Sequence, residues 1–89
     1  MTRSDIWRLD ASLYVAARRR WIDRDGPSPS QIEAVDDWVL DCMLDPSAAG
    51  RPDVEVDGVW IGRPGLSTIV LYGLNLDERL IAVFEIGSN

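Results

Sequence analysis

The sequence contains no histidine and no lysine, and it has a single cysteine among its 89 residues. Without histidine, neither a Ser-His-Asp triad nor a Cys-His pair can form within one chain. A single cysteine excludes an intramolecular disulfide and a multi-cysteine zinc site. We therefore expect no cofactor and no metal, and few side chains remain that could carry catalysis.

Long hydrophobic runs are also missing. The longest, at residues 13–17 and 80–84, have five residues each and fall far short of the roughly 18 apolar residues that a membrane span needs. The start alternates charged and apolar residues, unlike a signal peptide. We expect a cytoplasmic protein with no membrane partner. The length suits one folded domain, 1–89, and an apolar content of 46% is too high for a disordered chain.

The charge is acidic overall and unevenly divided. The formal net charge is −6, and all nine basic residues are arginine. Residues 1–24 hold six Arg against three Asp, whereas residues 25–89 hold three Arg against twelve acids. An acidic body disfavours nucleic acid as a partner, because neutralisation of phosphates drives that kind of binding.

Two amphipathic helices are predicted in the first half of the chain. Ser4 can cap the first helix, and a Gly-Pro turn after Asp25 ends it. Ser28 and Gln31, with proline at the first helical position between them, form a capping box for the second. Asp45-Pro46 ends that helix. These signals predict a helical hairpin over residues 4–45.

Beyond a loop, the hydrophobic period changes from 3.6 residues to two. Val54 and Val56 alternate with acids, and Asp57-Gly58 suits a tight hairpin turn. Two longer apolar strands follow, and together they predict a β-meander over residues 53–87. The fold class is therefore α+β, with two N-terminal helices packed on a three- to four-stranded antiparallel sheet.

Both periodicities also predict which side chains are buried. On the last strand, strict alternation puts Ala82 and Phe84 on the same face as Ile86. The single cysteine, Cys42, lies on the apolar face of the second helix and should be buried and inert. The predicted core contains Ile32, Val35, Val39, Ile69, Leu71, Ala82 and Phe84.

Four acids spaced by four residues place an acidic stripe on the second helix: Glu33, Asp37, Asp41 and Asp45. Like charges at this spacing cost an isolated helix about 0.2–0.5 kcal/mol per pair. Two interpretations remain open. The stripe is either a solvated face partly neutralised by Arg18–Arg20, or a docking surface for a protein partner with a basic surface.

A second candidate for partner binding is an aromatic line. Trp7, Tyr14 and Trp21 recur every seven residues along the first predicted helix. Aromatic side chains are common anchors at protein interfaces, although they also fill small cores. Trp38 and Trp60 are assigned to the core.

Four short motifs follow one another between residues 32 and 86. They are Leu44-Asp-Pro46-Ser-Ala-Ala-Gly50-Arg-Pro52, Gly58-Val59-Trp60, Val70-Leu71-Tyr72 and the acidic turn Asp77-Glu78-Arg79 before the last strand. In this order they resemble the RelE/ParE-type toxin superfamily. The resemblance implies a helical hairpin followed by an antiparallel sheet. For the ribonuclease members it also implies ribosome-dependent cleavage of mRNA, held in check by an antitoxin.

The chain departs from the family pattern in three ways. The family usually begins with a β-strand, whereas a helix is predicted here. The position of an arginine in the ribonuclease members is Ile69, and the basic or histidine residues of their C-terminal end are replaced by Gly87-Ser88-Asn89. The residues left for such an activity are Tyr72, Arg63 and Arg79.

Two functions therefore remain in view. The residues favour a small acidic protein-binding module without catalysis, an inhibitor or regulator of a basic protein partner, of a kind that phages also encode. The alternative is a divergent RelE-type mRNA endoribonuclease toxin of a toxin–antitoxin pair. Whether the protein is an enzyme stays open, although the residues favour a protein without catalytic activity. Apolar residues on both faces of the last strand leave a homo-oligomer open as well.

Overall fold

Two helices pack on a five-stranded sheet in the computed structural model, which describes residues 6–88. The strand order is β1-β5-β4-β3-β2, and every neighbouring pair is antiparallel except β1 with β5. The α+β class is confirmed, with five strands in place of three or four. The elements are β1 (Arg8–Leu9), α1 (Ala11–Asp25), α2 (Pro29–Leu44), β2 (Gly50–Pro52), β3 (Trp60–Gly62), β4 (Thr68–Asn75) and β5 (Leu80–Ser88).

The second helix begins where its local sequence predicts. The Ser28 hydroxyl accepts a hydrogen bond from the backbone N–H of Gln31 at 3.2 Å, and the Gln31 side chain accepts one from the Ser28 N–H at 2.8 Å. This reciprocal capping box satisfies two N–H groups that a helix start leaves without partners.

The start of the described chain differs from the prediction. Arg8–Leu9 is a short strand, and α1 starts only after Asp10, whose carboxylate accepts a hydrogen bond from the Leu13 N–H at 3.1 Å. The Arg8 N–H donates to the Arg79 carbonyl at 2.8 Å. The prediction of helix from residue 6 to residue 10 is therefore wrong, because pairing with β5 satisfies the backbone hydrogen-bonding groups of this segment. The predicted cap, Ser4, lies outside the described residues. The expected departure from the family pattern is likewise wrong, since a strand precedes α1.

Residues 53–59 form a loop and not the predicted strand. The Asp53 carboxylate accepts a hydrogen bond from the Glu55 N–H at 2.9 Å, and this Asx turn diverts the backbone. Val54 and Val56 are exposed as a result. The antiparallel part of the sheet begins earlier than predicted, at Gly50.

A β-bulge sets which side of β5 is buried. Tyr72 pairs with Val83 and Leu71 pairs with Glu85, so Phe84 is an extra residue on β5. The bulge breaks strict alternation, and β5 buries Ile81, Val83 and Ile86. The predicted burial of Phe84 is wrong, because the bulge turns its ring outward and leaves it 45% exposed.

The core lies between the helices and the inner face of the sheet. Val35 and Val39 are buried as predicted, and Ile32 is partly buried against the core. Three other predicted members are only partly buried because they face away from the helices: Ile69, Leu71 and Ala82. Cys42 is buried, and its burial raises the pKa of the thiol to about 12. The core consists of Ala17, Trp21, Val35, Trp38, Val39, Cys42, Val70, Tyr72, Ile81, Val83 and Ile86.

Candidate functional site

The acidic stripe (Glu33, Asp37, Asp41 and Asp45) is exposed along α2. Within residues 6–88, its first three carboxylates take part in no ion pair and accept no hydrogen bond. Asp45, at the end of the helix, accepts a hydrogen bond from the Ser47 hydroxyl at 2.9 Å. Three carboxylates on one helix face are thus exposed to solvent, and no cation pairs with their negative charges in residues 6–88.

The arginines of α1 do not neutralise this stripe. Arg18 forms a bidentate pair with Asp36, at 2.9 and 2.8 Å, on the side of α2 that faces α1. Arg18 also holds the pKa of Asp36 below its usual value. Arg20 reaches β5 instead, and Arg19 is exposed without an ion pair in the described part of the chain. Arg18–Arg20 therefore make no direct contact with the stripe, whereas its exposure agrees with the interpretation of a solvated face.

Apolar side chains accompany the acids on the outside of the helical layer. Leu40 and Leu44 on α2 are 62% and 64% exposed, and Val15 on α1 is 57% exposed. Leu40 and Leu44 lie on the same helical face because they are four residues apart. The outer surface of α2 therefore combines anionic and apolar groups, a composition suited to contact with a protein.

The aromatic line does not form a surface. Trp7 precedes α1, so a spacing of seven residues no longer places it on the face of Tyr14. The Tyr14 hydroxyl donates to Asp36 between the helices, and burial together with Asp36 raises the pKa of that phenol. Trp21 is completely buried, with its indole N–H directed to the Ser88 hydroxyl at 3.3 Å. The structure therefore disperses these three rings, and Trp21 cannot contact a partner.

Tyr72 is also inside the molecule. Its hydroxyl donates to the carbonyl of Pro46 at 2.8 Å, and its ring lies edge-on to Trp38 with 5.1 Å between ring centroids. Burial raises the pKa of this phenol above its ordinary value. Tyr72 belongs to the face of β4 that meets the helices, where it cannot reach an external substrate.

Arg63 and Arg79 lie at opposite ends of the sheet. Arg63 follows Gly62, which pairs with Val70, whereas Arg79 ends the turn between β4 and β5. At about 3.3 Å per residue, the stretch of β4 from Val70 to Asn75 separates these ends by roughly 17 Å. The structure does not bring together the three residues that the resemblance points to.

A concave site is present on the open face of the sheet, opposite the helices. It encloses about 330 Å³ over an apolar floor, with Arg63 and Glu85 among its walls. Sequence analysis missed Glu85; the only signal was a carboxylate in an otherwise apolar strand. The lining residues are Ile61, Arg63, Ile69, Leu71, Glu85, Gly87 and Ser88.

Glu85 is flanked by two further arginines. The Arg24 guanidinium contacts its Oε2 at 2.8 Å, and the Arg20 guanidinium lies 3.6 Å from its Oε1. Asp25 and Glu85 both raise the pKa of Arg24. The Glu85 carboxylate therefore stands between two arginines, at the rim of an open cavity that also has Arg63 in its wall.

Two other features are absent from residues 6–88. No group of three or more acidic or cysteine side chains there is arranged to hold a metal ion. None of the helices in this part of the chain has both the length and the apolar character to cross a bilayer.

Comparisons with known proteins rest on the fold, because no family model and no curated protein matches the sequence. Among solved structures, a chain in the crystal structure of the toxin–antitoxin complex RelBE2 from Mycobacterium tuberculosis is similar, with a TM-score of 0.73. The match covers 94% of this chain and 99% of that one, at 15% sequence identity. The protein therefore shares the fold of that chain, which agrees with the resemblance of its motifs to the RelE/ParE type.

Proposed function

We propose that this protein is the toxin-type member of a toxin–antitoxin pair, held by a protein partner. The similarity to a chain of the RelBE2 complex, extending over nearly the whole of both chains, is the observation that carries this proposal. The strand before α1 supports the proposal, because the family usually begins with a β-strand and the sequence had predicted a helix at this point.

The chemistry we assign to it is cleavage of RNA at the open-face cavity. In this reaction the 2′-oxygen attacks phosphorus and its proton passes to the Glu85 carboxylate. The 5′-oxygen leaves with a proton from water, and the hydroxide so formed takes the proton back from Glu85. The products are a 2′,3′-cyclic phosphate and a 5′-hydroxyl. Arg63 holds the phosphate and offsets the charge that develops on it. Tyr72 has no part, because it is buried.

Inducible expression in a bacterium tests this proposal. We expect growth arrest with mRNA cleaved during translation, relieved by co-expression of an antitoxin encoded beside the gene. Arg63→Ala and Glu85→Gln should each reduce cleavage about 10²-fold or more. Arg79→Ala is the matched control, since it removes a cation at the far end of the sheet. Arrest that persists in Arg63→Ala, or normal growth with intact mRNA on wild-type expression, would contradict the assignment.

A second candidate function is binding of a basic protein partner without catalysis. The observation that favours it is the acidic stripe, whose exposed carboxylates have no ion pair in residues 6–88 and lie beside Leu40 and Leu44. Attraction of this kind acts over distance, raises the association rate and weakens with salt.

This candidate is tested by reversing two charges of the stripe. Asp37→Arg with Asp41→Arg should lower affinity for a partner captured from the native host, most strongly at low salt, and leave folding intact. The matched control is Glu55→Arg with Asp57→Arg, which makes the same charge change in the exposed loop. Equal affinity of all three proteins at low and moderate salt would exclude the stripe as a binding surface.

A further inference from the structure

The outer edge of β5 is only partly covered by another strand. The parallel partner β1 pairs with Leu80 and Ile81 alone. From the bulge at Phe84 to Ser88, no described strand lies on that side of β5. Such a stretch ordinarily presents unpaired backbone groups that another strand can bind.

Three side chains from the end of α1 occupy those backbone groups instead. Arg20 donates to the carbonyl of Phe84 at 3.0 Å, and Arg24 donates to the carbonyl of Ile86 at 2.8 Å. The Asp25 carboxylate accepts from the Ser88 N–H at 3.1 Å. Donors meet carbonyls and an acceptor meets the N–H, so each contact replaces one that a neighbouring strand would make.

Neighbouring interactions hold this arrangement in place. Glu85 forms ion pairs with Arg20 and Arg24, and Arg24 also pairs with Asp25 at 2.9 Å. The bulge at Phe84 twists the same stretch, which further hinders regular pairing. At the opposite edge of the sheet, β2 has only three residues and ends in Pro52, which has no N–H to donate.

We infer that Arg20, Arg24 and Asp25 close the outer edge of β5 against strand pairing with a second copy of this chain. Two copies related by a two-fold axis would pair antiparallel through the same residues, because an isologous contact needs only one self-complementary segment. With these side chains in place, neither edge of the sheet in residues 6–88 offers a continuous row of unpaired backbone groups, and we expect partners to bind through side-chain surfaces. Two arginines of α1, Arg20 and Arg24, thus bind backbone carbonyls of the same chain.

Sedimentation tests the inference with an edge variant, Arg20→Ala, Arg24→Ala and Asp25→Ala, compared with Arg19→Ala. Both lower the net charge by one, but Arg19 touches no backbone group of β5. We expect the edge variant to self-associate at least tenfold more strongly than wild type, with slower exchange of the amides of residues 84–88 in the associated form. Arg19→Ala should behave as wild type. A folded edge variant that self-associates no more strongly than wild type would overturn the inference.

A second measurement decides the matter if the edge variant fails to fold. In the wild type, the Ser88 amide should exchange its hydrogen slowly, and Asp25→Ala alone should speed that exchange at least tenfold. A Ser88 amide that exchanges in wild type as fast as in an unfolded peptide would show that the edge is open, and would overturn the inference.

Discussion

The indole of Trp38 connects three parts of the molecule. Its N–H donates to the carbonyl of Ala49 at 3.0 Å, in the segment that leads to β2. Its ring meets Tyr72 on β4 and lies against Gly62 on β3, where an added Cβ would overlap ring atoms. Glycine at position 62 is therefore set by the close approach of a helix side chain to the sheet.

Gly62→Ala should destabilise the fold because the new methyl group forces Trp38 out of its position. We expect a loss of about 1–3 kcal/mol in the free energy of unfolding, measured by urea denaturation. Gly87→Ala is the matched control, since its Cβ would meet only the tip of Arg24 at 3.7 Å. A change below about 0.5 kcal/mol in Gly62→Ala would contradict the packing described.

Tyr72→Phe should act on stability and leave activity unchanged. It removes the hydrogen bond to Pro46 and leaves that carbonyl without its donor, at a cost of about 1–2 kcal/mol. The measurements are urea denaturation and the cleavage assay under conditions where the variant is folded. Loss of cleavage with unchanged stability would assign Tyr72 a catalytic role that its burial argues against.

At the scale of elements, Asp36 joins the two helices. It accepts hydrogen bonds from Tyr14 and Arg18 of α1, and Arg18 lowers its pKa. Because the pKa is lower in the folded state than in the unfolded one, the ionised carboxylate stabilises the fold above about pH 4. This contribution is lost as the pH falls through the folded-state pKa.

Asp36→Asn should therefore destabilise the protein by about 1 kcal/mol at neutral pH, and the difference from wild type should shrink in acid. Urea denaturation at several pH values measures this, with Asp37→Asn, which removes an unpaired carboxylate, as the control. A difference between Asp36→Asn and wild type that does not depend on pH would show that the charge of Asp36 is not what joins the helices.

The elements differ in how far the sequence alone could predict them. The start of α2 follows from Ser28 and Gln31 because a capping box is a local interaction. The bulge at Phe84 could not be predicted, since it depends on how β5 pairs with β4, and it reverses the expected burial of β5. A strand of two residues such as β1 shows no period at all. The same limit hid the open-face site, because Arg63 and Glu85 line one cavity only through the pairing of β3, β4 and β5.

At the scale of the whole molecule, helices and sheet share one core. Trp21 of α1, Trp38 of α2 and Tyr72 of β4 belong to the same buried cluster. Neither layer has a second core that could persist without the other. The class of fold could therefore be predicted from the change of period along the chain, even where single strands were misplaced.

A shared core predicts cooperative unfolding in one step. Tryptophan fluorescence and far-ultraviolet circular dichroism should give coincident urea transitions, because the indoles become exposed as the helices melt. The variant Arg19→Ala, which leaves the edge of β5 unchanged, should also give coincident transitions. Helical signal that outlasts the fluorescence change would show that the hairpin of α1 and α2 is stable alone.

The position of β5 in the sheet also has a consequence for synthesis on the ribosome. The surface on which α1 packs is largely β5, and about 55 residues separate the end of α1, at Asp25, from the start of β5, at Leu80. At translation rates of about 5–20 residues per second, α1 waits roughly 3–11 s before its partner strand has been made. During that interval Trp21 is exposed in the nascent chain. A protein of this topology therefore folds only after β5 has been synthesised, which gives a binding partner or a chaperone time to reach it.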